Sequence, residues 1–379
     1  MRIFQVIDAT ANPSVRGNQT WFRCLYEPLL EMGHEVVLFS LERGRIAFHR
    51  RDSRLREQFS QEMLDTFHRE HKKKHFDLFF AYLIEGMVEP AVIDRIRKTG
   101  VPTCNFSCNN THQFYLVQNL SRHFDFSLHS EKPAREKFLA VGAKPIWWPM
   151  ASNPKYFKPY NVARTVPVSF VGANYALRGR HIGHLLHHGI DVHAYGPGWR
   201  WGAQTPFGSF AKRIVFMARV LAAREARSQA STTARLAEHS FNRLLYQQFP
   251  DNLHGVASDD DMIQLYSRSQ ISLGFLEVHE NNDPSSPVSR HLHLRDFEAP
   301  MSGALYCTGY MDELAEFFVP DREVITYRNE DELLGKVKYY LAHPDDAERI
   351  RQAGYQRALA EHTYHARYAA LFRAIGLQQ

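Results

Sequence analysis

Three stretches of this 379-residue chain bring together residue types that do chemistry. In the first, Gly172 is followed within eight residues by Asn174, Tyr175, Arg178 and Arg180. A glycine that admits a ligand to the backbone, then two guanidiniums, suits a diphosphate, because arginine makes charge-assisted forks with phosphate oxygens. The plainer reading is a strand-to-helix turn with solvated arginines. The second stretch is Ser289–Gly303, SRHLHLRDFEAPMSG, read as a helix carrying Arg290, His291, Arg295 and Glu298 and entered from the loop Asn281–Pro287. Cations at a helix start oppose its dipole unless an anion sits there. The Glu298 carboxylate suits a ribose diol, as acidic residues do in other nucleotide sites. An i,i+3 ion pair of Arg295 with Glu298 on a solvated face is the alternative. The third stretch is Ser107–His112, SCNNTH, which with Asn18 and Gln19 suits a sugar or acceptor. His112 is a lone histidine there, and such residues are more often structural than catalytic.

Metal chemistry has weaker support. His181, His184, His187 and His188 have helical spacing but no neighbouring Cys or carboxylate in sequence, so no metal site is expected. Asp259–Asp261 reads as an acidic helix start. P-loop, GxGxxG, HExxH and GxSxG patterns are absent.

The elements that must position these residues alternate between apolar runs and helical periods, the pattern of βαβ units. Arg2–Ile7, His34–Ser40, Phe76–Tyr82, Pro102–Phe106, Phe124–Leu128 and Pro145–Trp148 read as strands, with helices over Gly17–Met32 and Glu131–Val141. The proline-containing stretch Trp148–Tyr160 reads as a linker. Strands then resume at Val166–Val171, Ile190–Tyr195, Ser269–Phe275, Ala304–Cys307 and Glu323–Tyr327. Helices are expected at Arg178–His188, Leu292–Met301, Asp331–Ala342 and Asp345–His362. The arginine-rich Phe210–Gln248 interrupts the alternation as a helical insertion, within residues 203–250. Tyr364, Tyr368 and Phe372 share one face of a last helix, expected to cross back onto the first domain. The expected domains are thus 1–158, 159–362 and a crossing segment 363–379.

Composition narrows the class. The chain is 44% hydrophobic and 23% charged, with 46 Lys and Arg against 41 Asp and Glu. The small positive excess does not call for nucleic acid, and none is expected as a partner. Four cysteines without CxxC spacing argue against a disulfide framework and for a reduced, cytoplasmic setting. No leader pattern opens the sequence, and no run approaches the roughly 18 apolar residues that span a bilayer. The basic segment 210–248 is a candidate for peripheral contact with the inner face of a membrane, packing on the second domain being the alternative.

The runs LRDFEAPMSGALYCTGYMDELAEFF and VITYRNEDELLGKVKYYLAHPDDAERIRQAGYQRALAEHTYHAR resemble the C-terminal half of CgeB-type glycosyltransferases, within the group-1 enzymes of GT-B fold. FDFSLHSEKPAREKFLAVGA, MASNPKYFKP and SFVGANYALRGR extend the resemblance over about residues 124–372, and GHEVVLFS resembles the first βαβ unit. The resemblance implies an α/β, GT-B protein of two Rossmann-like doubly wound domains facing a central cleft. It implies a metal-independent glycosyltransferase without a cofactor, using a nucleoside-diphosphate sugar, UDP-linked by expectation, and a glycan, protein or lipid-linked acceptor. On this resemblance Glu298 takes the place of the ribose-binding glutamate and Gly303 that of the turn glycine after it. Gly172 with Arg178 or Arg180 faces the phosphates, and Gly255 lies in the base-contacting loop. Arg178, Arg180 or Arg295, with the helix start near Arg290, then stabilises the departing diphosphate, and Tyr175 and His291 belong to the same donor site. His112 is the candidate base if the anomeric centre inverts; retention needs none. The chain departs from the pattern at Arg290, where many relatives carry a second glutamate, and at Asn153, where many carry an aspartate. These departures leave a non-catalytic nucleotide-binding or assembly protein as the alternative.

Overall fold

In the computed structural model, which describes residues 1–8, 18–200, 229–280 and 283–377, the run Arg2–Ile7 forms β1 and is buried at nearly every atom. Such continuous burial belongs to a parallel strand covered on both faces. β1 is joined by β2 (Glu35–Ser40), β3 (Leu78–Ala81), β4 (Thr103–Ser107), β5 (Phe126–His129) and β6 (Pro145–Trp147). All are parallel, in the order β2-β1-β3-β4-β5-β6. The chain leaves β1 on one side to make β2 and returns on the other to make β3. The point between β1 and β3, at the carboxyl ends of the strands, is where ligands bind such sheets.

The helix expected over Gly17–Met32 is instead an α-turn at Asn18–Trp21, a π-helical turn at Phe22–Tyr26 and a short α-helix at Glu27–Glu31. Pro28 accounts for the break, because it has no N–H for the carbonyl one turn back and its ring crowds that carbonyl. Two helices not expected from sequence, Glu42–Arg50 and Ser53–Lys73, follow β2. Arg51 ends the first with φ 53°, and the Asp52 carboxylate caps the second by accepting from the Arg54 and Leu55 N–H groups. Phe59, Met63, Leu64 and Phe67 form the buried face of the second, and Phe67 packs edge-on against Phe4 of β1.

The second unit repeats the plan. β7 (Val166–Val171), β8 (Val192–Tyr195), β9 (Leu253–His254), β10 (Ser269–Leu273), β13 (Tyr306–Gly309) and β14 (Ile325–Tyr327) form a parallel sheet in the order β14-β13-β10-β7-β8-β9. A separate antiparallel pair is made by β11 (Glu277–His279) and β12 (Val288–Arg290). Phe170, Ile182, Leu185, Trp199, Ile271 and Leu273 belong to its core. The described part of the expected insertion, the helix Gln229–Gln248, packs on the helix Arg178–His187 by setting Phe241 and Leu245 against Gly183. Residues 201–228, and with them about half of the candidate membrane segment, lie outside the described residues.

The compact units are 1–157 with Leu292–Glu298 and Arg357–Gln379, and Lys158–His291 with Ala299–Gln356. This differs from the expected 159–362, which assigned 292–298 and 357–362 to the second domain. In the first unit, Thr363 caps the helix Tyr364–Ala374, and Tyr364, Tyr368 and Phe372 are completely buried. The Tyr368 hydroxyl donates to the Leu25 carbonyl at 2.7 Å, and its ring packs on Phe80 of β3.

Candidate active site

At the carboxyl end of β7, Gly172 does not open onto free space. Its N–H donates to the Tyr195 carbonyl at 2.8 Å, and its own carbonyl accepts from the Trp199 indole at 2.6 Å. Gly196, at φ 146°, approaches so closely that a Cβ there would lie 2.3 Å from the Gly172 oxygen. The loops after β7 and β8 are thus locked by backbone contact that only glycine permits. Gly196 also donates to the Gly255 carbonyl at 3.1 Å, bringing the expected base-contacting loop beside the same turn.

Arg178 is buried rather than held out to a phosphate. Its guanidinium donates to the Ala173 carbonyl at 3.0 Å and the Phe275 carbonyl at 3.3 Å, and lies 3.8 Å from the centre of the half-exposed Tyr175 ring. It clamps the loops after β7 and β10 together. Arg180, two residues on, is exposed.

The expectation that Arg290 and His291 share a helix with Arg295 and Glu298 is corrected. Arg290 ends β12, and the helix starts only at Arg295. The cause is non-local, since Glu277, Val278 and His279 pair with Arg290, Ser289 and Val288 and hold the segment extended. This pairing brings in a residue that sequence reasoning missed. Buried Glu277 accepts from Arg290 Nε at 3.2 Å on Oε1, and Nη2 lies 3.1 Å from the same oxygen. Arg290 Nη1 donates to the Tyr310 carbonyl at 2.9 Å. The Arg290 side chain stays 36% exposed, so among the described residues a cation is held in fixed orientation with N–H groups left for an anion. No signal in sequence marks Glu277, an isolated carboxylate in a short strand. His291 follows, buried, its N–H donating to the Leu276 carbonyl.

His181 adjoins this pair. Its ring stacks on Phe275, with Nδ1 3.0 Å from Glu330 and Nε2 4.0 Å from Glu277. The carboxylates that the histidine cluster lacks in sequence are therefore supplied by other elements. Even so, among the described residues no three His, Cys, Asp or Glu are grouped to hold a metal.

Burial holds the His181 imidazole below its ordinary value of 6.5, against the pull of Glu277 and Glu330. The unfolded chain thus takes up a proton where the folded chain does not, so stability present above about 6.5 is lost as the pH falls toward the folded value. His112 and His129, also lowered chiefly by burial, act with the same sign. Glu131, raised by burial, acts with the opposite sign and loses its contribution as the pH rises above 4.5. The urea midpoint is therefore expected to fall between about pH 7.5 and about pH 5.5, and to fall less in His181→Gln. A midpoint that rises on acidification would contradict this.

Arg295 and Glu298 lie on the helix Arg295–Met301 but belong to the first compact unit, whereas Arg290 and His291 belong to the second. Glu298 is 5% exposed, and its charge helps burial to raise the Tyr364 phenol.

The first unit has its own pocket, of about 380 Å³, at the carboxyl ends of β1, β3 and β4. Ser107, Cys108, Asn109 and Asn110 of the SCNNTH loop line it; His112 does not. Buried Glu131 shapes this loop by accepting from the Asn109 N–H at 2.7 Å and the Thr111 N–H at 3.0 Å. The side chains of Asn18 and Gln19 lie outside the described residues.

Residues 234–373, a stretch that contains Glu277, Arg290 and Glu298, match the model of a family described as Glycosyl transferase-like. The chain is similar in structure to a sucrose-phosphate synthase from Thermosynechococcus elongatus, with a TM-score of 0.60 and 13% identity over 99% of each chain. A glycosyltransferase from Rickettsia africae gives 0.61 and 12%, over 98% of this chain and 97% of that one. Anabaena HepE, solved in complex with UDP and glucose, gives 0.58 and 13% over 99% of each chain.

The fold is GT-B.

At such identities the structural likenesses establish the fold, and the family model is matched by residues 234–373 alone. No curated protein sequence matches the chain. Among the described residues, no helix of this GT-B chain is long and apolar enough to cross a membrane.

Proposed function

We propose that this protein is a CgeB-type glycosyltransferase that moves a sugar from a UDP-linked donor to an acceptor hydroxyl without a metal ion. The observation that carries the reading is the match of residues 234–373 to the glycosyl transferase-like family, over the stretch where Glu277 and Tyr310 hold Arg290 in place. In this reading Arg290 neutralises charge on the departing diphosphate, a task that a preoriented guanidinium performs without reorganising. Glu298 takes the ribose, as the resemblance implies, and in the second unit the turn that Gly196 locks against Gly172 lies beside the Gly255 loop assigned to the base. The acceptor oxygen bonds to the anomeric carbon as the bond from that carbon to the diphosphate oxygen breaks. The bonding pair leaves with the nucleoside diphosphate, and the hydroxyl proton passes to that diphosphate or to solvent. That HepE was solved with UDP and glucose supports the choice of nucleotide.

Arg290, standing where many relatives carry a carboxylate, favours one other reading, a protein that binds the nucleotide without turning it over. Thermal melts with UDP, GDP, ADP, dTDP and CMP separate these readings when combined with hydrolysis of UDP-glucose in the absence of acceptor. At about 100 times the dissociation constant the cognate nucleotide is expected to add about 2.7 kcal/mol of stability. UDP is expected to shift the wild type and not Glu298→Ala. A UDP shift without hydrolysis would favour the binding protein, and no shift with any nucleotide would overturn both.

A further inference from the structure

We infer that the pocket of the first unit takes an amphipathic acceptor: a hydroxyl-bearing head joined through phosphate to an apolar tail. The inference rests on the transfer reading above and names its acceptor class. The polar side of the pocket is made by Asn109, Asn110 and the Asp8–Arg45 ion pair, which suit hydroxyl groups. Its other side is apolar, with Ile84, Met87 and Val117. Leu116 lines both this pocket and an adjoining open groove of about 540 Å³, and Glu85 and Gly86 of the groove sit in sequence between Ile84 and Met87 of the pocket. The groove is floored by Phe48, Tyr115 and Leu116. Tyr115 is 53% exposed, an aromatic surface that a tail would cover.

Charge then selects the kind of amphiphile. His49 and Arg51 line the groove. Arg43, Arg45 and Arg56 on the same stretch are paired with Glu62, Asp8 and Glu89. Arg50, Arg51 and Arg54 are exposed and have no ion pair among the described residues. The acidic lining residue, Glu85, is engaged by the Asn119 backbone N–H and its side-chain amide at 3.0 Å. An uncharged glycan has no use for such cations, whereas a phosphate set between head and tail does.

Isothermal titration of the full chain with dodecyl phosphate, dodecyl maltoside, maltotriose and inorganic phosphate, each below micelle formation, tests this. Dodecyl phosphate is expected to bind more tightly than the other three. Arg51→Asn, chosen because asparagine tolerates the left-handed backbone at φ 53°, is expected to weaken it about tenfold and leave UDP binding unchanged. Tyr115→Ser is expected to weaken both dodecyl compounds. The inference is overturned if maltotriose binds best, if inorganic phosphate binds as well as dodecyl phosphate, or if Arg51→Asn changes nothing. UDP binding and UDP-glucose hydrolysis, measured alongside, show separately whether the transfer reading fails, and its failure would remove the acceptor assignment even with dodecyl phosphate bound.

Discussion

Glu277→Gln is expected to lower turnover of the donor about 100-fold while the protein stays folded. The amide keeps the shape of the buried side chain but loses the charge that draws two Arg290 nitrogens to one oxygen. Breaking a fully buried ion pair costs about 3–5 kcal/mol, because the surviving charge is stranded. Arg290 is more than a third exposed and can turn to water, so the stability cost should be nearer 1 kcal/mol. What is lost is orientation, and a displaced cation no longer meets charge as it develops on the leaving group. The loss should therefore appear in kcat more than in the KM for donor, and Arg290→Lys should reproduce it, since an ammonium cannot make the same fork. Steady-state hydrolysis of UDP-glucose by both variants, with melting curves to verify folding, is the measurement. Near-normal turnover in Glu277→Gln together with a dead Arg290→Lys would mean that the Tyr310 carbonyl alone orients the guanidinium.

Ending the chain at His362 is expected to unfold the first unit. The removed segment carries Tyr364, Tyr368 and Phe372, all with no exposed surface. Truncating one buried aromatic to alanine costs about 3–5 kcal/mol, and a domain is worth only about 5–15 in all. Polar ties are lost as well. The Trp148 indole donates to the Arg367 carbonyl at 2.9 Å, Arg367 Nε donates to the Pro149 carbonyl at 3.1 Å, and the Tyr364 N–H donates to Ser152 at 3.1 Å. Trp148 would then face water on the side now covered by Tyr364 and Tyr368. Near-UV circular dichroism and limited proteolysis should show loss of order in the first unit. Tyr368→Phe, which forfeits the bond to Leu25 and a longer one from Gln5 Nε2 at 3.4 Å, should cost about 1 kcal/mol. A truncated chain that melts like the full one would refute the packing described here.

The sequence by itself determined the elements whose signal is local. Arg2–Ile7 and Val166–Val171 were legible to the residue because each is a short, largely apolar run of strand length, and the Tyr364, Tyr368 and Phe372 face because helical spacing displays it. The GT-B fold was legible from the order of such elements together with motif resemblance. The tertiary structure decided what the charged residues do. Arg178 reads as a phosphate ligand until folding places the Phe275 carbonyl 3.3 Å from it, 97 residues away. Arg290 reads as helical until Glu277 pairs with it across a hairpin, and Glu277 itself carries no signal because its role exists only through that pairing. Apolar periodicity is written along the chain, whereas the partner of a guanidinium is whatever the fold brings within about 3 Å of it.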